Sequence, residues 1–230
     1  MESKKLPENT RKVLKRLGKK YKVGFSPLKI KDLELDILQV TDLEHLLAGK
    51  DPFENVSEFP FWVKLWEASM VLAHVVASLP VQGRPTLLEL GAGMAAPGLV
   101  AAARGYAVTL SDYEPHILDF QRVSAAANGF TDVDFRMIDW LNPPAMPKFD
   151  RIIGADILFR EDIFGPLLAI FKEYLQDDGE IYLAHDVRRK SVPKFLELAQ
   201  KDFKVAVSKT TMQNEEGEKI TILINRLTKK

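Results

Sequence analysis

The residues best placed to do chemistry gather around "LLELGAGMAAPG", residues 87–98. An apolar run, the acid Glu89, a turn through Gly91 and Gly93, and a series of small residues opening a helix follow one another there. The spacing Gly91, Gly93, Ala96 satisfies the loose G-x-G-x-x-G/A pattern. Glycine at the turn permits positive φ and close backbone approach to any flat or extended ligand. Glu89 narrows the choice. Two positions before the turn, it shares a strand face with Gly91 at the carboxyl edge, where ligands of open α/β sheets sit. A carboxylate there opposes a diphosphate and favours a cationic, phosphate-free nucleoside. Asp112 follows the glycines by about twenty residues, the distance expected of an acid that bonds ribose hydroxyls. Either acid alone reads equally well as a solvent-facing strand end; together with the glycines they favour a nucleoside site.

A second group lies further along. "GADILFRED" brings Asp156, Phe159, Glu161 and Asp162 to a strand end, and "AHDVRR" brings His185 and Asp186 to the next. Asp156 is the first choice for orienting a nucleophile. Glu161 and Asp162 read as first-turn helix acids, favoured by the dipole. His185 either accepts a proton, with Asp186 orienting it, or is a histidine satisfied at a strand end. His45, His74 and His116 are scattered without metal-ligand spacing, so no metal is expected. Neither a hydrolase triad nor a phosphate-loop lysine motif is present.

These residues need a scaffold, and the pattern supplies one. "TLLEL", "AVTLS", "DFRMI", "DRIIGAD" and "EIYLAH" are short apolar strands separated by helical patterns near 95–104, 113–128, 161–175 and 191–201. Such alternation predicts a doubly wound, Rossmann-like α/β sheet, mostly parallel. "FKVAVSKT" and "KITILIN" break the rhythm as an antiparallel hairpin turning through Asn214 and Gly217. Ahead of the sheet, residues 1–60 read as an α/β accessory segment and 61–230 as the main domain. The segment holds a helix near 8–20, a strand-like alternation in "LKIKDLELDILQV", a short helix "TDLEHLLAG" capped by Thr41, and the loop "KDPFENVSEFP". Periodic apolar residues over 61–80 predict a buried helix.

Composition sets outer bounds. The 230 residues are 46% hydrophobic and 28% charged, ordinary for a globular protein. No cysteine is present, which excludes disulfides and thiolate metal sites. The start lacks the apolar core of a secretory signal, and the greasy stretch Met70 to Val76 is too short to span a bilayer. A cytoplasmic location and no membrane partner are expected. The net charge of zero hides eleven Lys or Arg against two acids in residues 1–31. That arm could steer an acidic partner, but Val13, Leu14 and Leu17 form an apolar stripe that favours an ordinary amphipathic helix. Nucleic acid is not expected as a partner.

On these residues the chain resembles the seven-stranded class I methyltransferases, which use S-adenosyl-L-methionine. "LLELGAGMAAPG" is similar to their first motif and "VTLSDY", ending in Asp112 and Tyr113, to their ribose-binding strand end; the likeness covers roughly residues 61–225. Within the class it is most similar to the methyltransferase-like protein-lysine methyltransferases, through "LWEAS", "LGAGMAAPGL", "IDW" and "DRIIGADILF". The resemblance implies that Trp66 and the glycine turn line the cofactor pocket and that Asp139 and Trp140 meet the adenine. It also implies that Ala155 and Asp156 border the methyl group. Trp66 and Trp140 read equally as core residues. "NPPA" at 142–145 resembles a signature of amide- and base-nitrogen methyltransferases, but it precedes its proper strand and Ala145 replaces the aromatic, so it reads as a proline-stiffened loop.

Methyl transfer from a sulfonium is an in-line displacement in which the protein positions the nucleophile. A neutral lysine amine at pH 7 costs roughly 4.6 kcal/mol, so a lysine site needs acceptors and a proton route to water. Relatives usually carry Asp-x-x-Tyr where this chain has Asp156-Ile157-Leu158-Phe159. Phe159 keeps an aromatic wall for cation–π contact and loses the hydroxyl. The expected activity is therefore methyl transfer to a nitrogen of a protein substrate, most simply a lysine. A small-molecule N- or O-methyltransferase is the alternative; an NAD-dependent oxidoreductase or a non-catalytic cofactor-binding module stands further off.

Overall fold

In the computed structural model, residues 6–42, 61–213 and 217–230 are described. Helix α1 (Glu8–Leu17) and strands β1 (Val23–Ile30) and β2 (Leu33–Val40) come first, then a 3-10 turn (Phe61–Val63) and helix α2 (Glu67–Val76). The alternation follows as β3 (Thr86–Glu89), α3 (Ala96–Ala103), β4 (Ala107–Asp112), α4 (Pro115–Ala127), β5 (Asp134–Met137) and β6 (Phe149–Ala155). A second 3-10 turn (Glu161–Ile163) leads into α5 (Phe164–Tyr174), β7 (Leu175–Asp186), α6 (Val192–Ala199), β8 (Phe203–Gln213) and β9 (Lys219–Lys229).

Seven of these strands form one sheet in the order β5-β4-β3-β6-β7-β9-β8. All pairs from β5 to β7 are parallel, and β9 is antiparallel to both β7 and β8. The expected mostly parallel sheet with a closing hairpin is therefore present, with Gly217 at φ +81 near the start of β9 and Asn214 outside the described residues. Strand order reverses between β3 and β6, so their carboxyl ends bound the crevice where such sheets take ligands. Alternating side chains feed two cores. Leu87 and Ile153 join Leu72, Leu99 and Phe120 on one face, while Leu88 and Ile152 join Leu167, Phe171 and Phe195 on the other.

The N-terminal segment departs from expectation. "LKIKDLELDILQV" is not one strand: its alternation runs through a hairpin in which Ile30 pairs with Leu33. Lys31, at φ 55, turns the chain without the glycine or asparagine that usually marks such a turn, so the period of two hides the break. Helix α1 ends at Leu17, and the helix expected over 61–80 begins only at Glu67. Trp66 is extended at its N-cap, and its indole N–H donates to the Phe61 carbonyl at 2.6 Å, holding the preceding turn apart from the helix. Of the helix expected over 41–49 only Thr41 and Asp42 are described, and the loop at 50–60 lies outside the described residues.

The segment shares the core of the sheet. Leu17, Tyr21, Ile30 and Ile37 are buried in the cluster that contains Phe120 and Leu99. Arg16 pairs with Asp119 on α4 at 2.5 Å, and the Leu38 amide donates to Ser124 Oγ at 2.9 Å. Asn128 closes the seam, accepting from the Asp36 amide and donating to its carbonyl. The apolar stripe of α1 thus lies on α4, with Lys12 and Lys15 exposed and Arg16 reaching back to α4.

Candidate active site at the carboxyl edge

Strand β3 ends in Glu89 and hands the chain to a turn in which Gly91 and Gly93 have φ of +59 and +51. Neither position tolerates a side chain easily. A Cβ at Gly91 would stand 3.0 Å from Ile157 Cγ2 and 3.3 Å from Trp140 Cζ2, so both side chains pack directly on the turn. Three bonds fix it from the neighbouring strand and helix. The Gly93 amide donates to Asp112 Oδ2 at 2.9 Å, the Ala92 amide to the Ser111 carbonyl at 2.9 Å, and Gln121 Nε2 to the Gly93 carbonyl at 2.9 Å.

The two acids are placed differently. Glu89 is 2% exposed, and its Oε2 accepts from the Gly98 amide at 2.8 Å, in the first turn of α3. Burial pushes its carboxyl up to about 8, against the pull of that bond. Asp112 sits at the tip of β4 with Oδ1 accepting from the Tyr113 amide at 2.8 Å. Burial raises it too, and the Gly93 and Tyr113 amides hold it back. Its charge thereby reaches both the glycine turn and the exposed edge, where Tyr113 is 63% exposed.

On the adenine side of the expected pocket, Asp139 follows β5 and folds back on its own loop. Its oxygens accept from the Leu141 amide at 2.9 Å and from Asn142 Nδ2 at 3.2 Å. Trp140 is half-buried against the second core and against Gly91. It therefore fills core space and walls the turn together. The "NPPA" stretch is a loop before β6, with Pro144 accepting from the Tyr174 hydroxyl.

At the ends of β6 and β7 lies an open cavity of about 280 Å³ lined by Trp66, Glu67, Ala68, Asp156, Asp186, Arg188, Arg189 and Ile222. Trp66 thus faces the Asp156 side. Asp156 follows Ala155 at the end of β6 with φ 55, a left-handed conformation that aspartate tolerates better than most residues. Its amide donates to the Ala184 carbonyl at 2.8 Å. Burial raises its carboxyl, and Arg189, 3.1 Å away from Nε to Oδ1, draws it back. Phe159, three residues on, is 51% exposed and is not among the residues that line the cavity.

His185 does not join this group. It is 1% exposed, bonded to Asn225 at 2.8 Å, and burial lowers it to about 4. Asp186 points to the opposite face of β7 and is held by Arg188, whose backbone amide and guanidinium both donate to it. The alternative of Asp186 orienting a histidine base is therefore corrected: alternation along the strand separates them. Glu161 and Asp162 lie in the 3-10 turn before α5 and pair with Lys194 and Arg160. Sequence reading missed Arg188 and Arg189, although two adjacent cations straight after a strand end opposite Asp156 were a usable signal. Gln121, in the middle of α4, carried none.

A glycine turn braced by an acid from the next strand, at the switch point of a parallel sheet closed by an antiparallel hairpin, defines the class I methyltransferase fold. Residues 54–202 match the sequence profile of the lysine methyltransferase family. The chain belongs to that family. It is 30% identical over 148 residues to the protein N-lysine methyltransferase METTL21A of Xenopus tropicalis, covering 62% of this chain and 68% of that one. To the histone-arginine methyltransferase METTL23 of Mus musculus it is 32% identical over 137 residues, covering 55% and 53%. The crystal structure of a TehB-like SAM-dependent methyltransferase from Corynebacterium glutamicum superimposes with a TM-score of 0.57 at 18% identity, covering 82% of this chain and all of that one. That likeness concerns the fold alone.

Proposed function

We propose that this protein transfers a methyl group from S-adenosyl-L-methionine to a lysine side chain of a protein. The observation that carries the reading is Asp156, a largely buried carboxylate lining a cavity at the ends of β6 and β7 and next in sequence to Ile157, which packs on the glycine turn. The residues around that turn fit the cofactor. Gly91 and Gly93 leave their inner side free of Cβ atoms, Asp112 supplies an acid suited to a cationic nucleoside, Glu89 braces the first turn of α3 beneath the site, and Trp140 supplies an aromatic wall. Tyr113, Asp139, Ala155 and Trp66 complete the set that would hold it. When bound, the cofactor supplies an electrophilic methyl group on a sulfonium.

The chain's own residues do the rest. Asp156 accepts a hydrogen from the incoming amine and orients its lone pair. The exposed ring of Phe159 and the ring of Trp66 give a cation aromatic faces during entry. The acceptor ammonium must give up a proton at a cost of roughly 4.6 kcal/mol at pH 7, and the open rim lets water take it. Exposed apolar side chains collect at this same edge: Tyr113 after β4, Met137 and Leu141 at and beyond β5, Phe159 after β6 and Val187 after β7. Such a rim supports a macromolecular acceptor. We also read residues 1–60 as an accessory segment to a catalytic domain over 61–230, and the cytoplasm as the working compartment.

The test is incubation with radiolabelled cofactor and a cell lysate, followed by acid hydrolysis of the protein fraction. Methyl-lysine in the hydrolysate is expected. Label confined to small molecules would overturn the protein acceptor, and methyl-arginine or methyl-histidine would overturn the lysine.

A further inference from the structure

We propose that Arg189 is the positioning residue for the acceptor nitrogen, fixing the Asp156 carboxylate across the cavity in the orientation the acceptor meets. This rests on the lysine reading above. The two loops that carry these residues leave adjacent parallel strands, and three contacts stitch them. The Asp156 amide donates to the Ala184 carbonyl at 2.8 Å, Arg189 Nε donates to Asp156 Oδ1 at 3.1 Å, and Ser191 Oγ donates to the Leu158 carbonyl at 2.5 Å. Of the three, Arg189 is the one that touches the functional carboxylate, which also takes a backbone hydrogen bond from Asp186. Its own backbone is tied down, with its amide donating to the Asp186 carbonyl at 3.0 Å.

The division of labour between two neighbouring arginines makes the assignment specific. Arg188 serves Asp186 on its own turn through Nε, Nη2 and the backbone amide, an arrangement that saturates Asp186 locally. Arg189 reaches the other way, to a different strand. An ordinary surface ion pair would contribute little. This one differs because its carboxylate is largely buried, so a neighbouring cation favours its ionised form more strongly than it would in water. Among the described residues, the other charged groups lining the cavity are Arg188, Asp186 and Glu67; His185 lies on the far face of β7. Burial alone pushes the Asp156 carboxyl up, and the Arg189 guanidinium is the largest influence opposing it.

The experiment uses the full chain, wild type and the variants Arg189→Met and Arg189→Lys. The Asp156 side-chain carbon is followed by NMR through a pH titration, with Asp156→Asn identifying its signal. In parallel, incorporation of labelled methyl into lysate protein is measured against pH. Arg189→Met is expected to raise the Asp156 midpoint by about one pH unit. The acid limb of methyl incorporation should move up by the same amount, and Arg189→Lys should restore most of both. An unmoved Asp156 midpoint would overturn the proposal, because Arg189 would then not govern that carboxylate. A moved midpoint with an unmoved acid limb would overturn it too, because the acceptor would not depend on Asp156. Absence of protein-bound label from the wild type would instead overturn the lysine reading, and this proposal with it.

Discussion

Glu89 Oε2 lies 2.8 Å from the amide nitrogen of Gly98, and position 98 has no room for a side chain. The carboxylate of a buried strand end therefore serves as the acceptor for the first turn of α3, whose N-cap Ala95 supplies no side-chain bond of its own. Strand, turn and helix are locked by one contact beneath the site.

Gly98→Ala tests that lock. A Cβ there would overlap Leu110 Cδ2 and Glu89 Oε2, which belong to two different strands. Overpacking of a filled core costs about 1–3 kcal/mol. Urea unfolding should show a loss of that size with an unchanged m-value.

Glu89 also makes stability depend on pH. Its carboxyl ordinarily titrates at 4.5 and is pushed up to about 8 in the fold. Between those values the folded chain holds a proton that the unfolded chain has released, so stability falls as pH rises through the window. Glu89→Gln cannot titrate and keeps an oxygen for the Gly98 amide. Denaturation at about pH 5, 6.5 and 8 should show a decline in the wild type, at most roughly 1.4 kcal/mol per pH unit, that the variant lacks. Parallel curves would count against a protonated Glu89.

Asp112→Asn should separate ligand binding from folding. The amide oxygen retains one backbone hydrogen bond, so the melting temperature should move little. Loss of a charged acceptor for ribose should cost about 1.5–3 kcal/mol of affinity for S-adenosylhomocysteine by calorimetry. Equal losses in melting temperature and affinity would make Asp112 a brace for the turn and nothing more.

Tyr21→Ala probes the tie between the N-terminal segment and the sheet. Tyr21 is buried and meets Trp62 and Phe120 edge-on at centroid distances of 5.7 and 5.5 Å. Truncating a buried aromatic costs about 3–5 kcal/mol. One cooperative transition, shifted down, is expected. Two separate transitions would show that the segment folds independently.

The strands and helices of the sheet were legible because their periods switch cleanly between apolar runs and helical repeats, with "TLLEL" and "AVTLS" standing as written. The glycine turn and Asp112 were legible for the same reason: their spacing along the chain fixes their neighbours in the sheet. Glu89 was found for its charge, while its Gly98 partner depended on the packing of α3 over β3, which spacing does not reveal. Arg189 escaped notice because its partner is 33 residues away and only the register of β6 on β7 brings them together. The hairpin β1–β2 hides in a single alternation because Lys31, at its left-handed position, is neither glycine nor asparagine, and Asp32 alone is too weak a mark against a continuous period of two.

The seam between the N-terminal hairpin and α4 bears on how the molecule is made. Leu38 finds Ser124 across 86 residues of chain, and Asp36 finds Asn128 across 92. During synthesis the hairpin leaves the ribosome long before its docking helix exists, so Leu28, Leu35 and Leu38 must wait uncovered. Contacts of such long separation slow folding and lengthen the time a nascent chain spends exposed to aggregation.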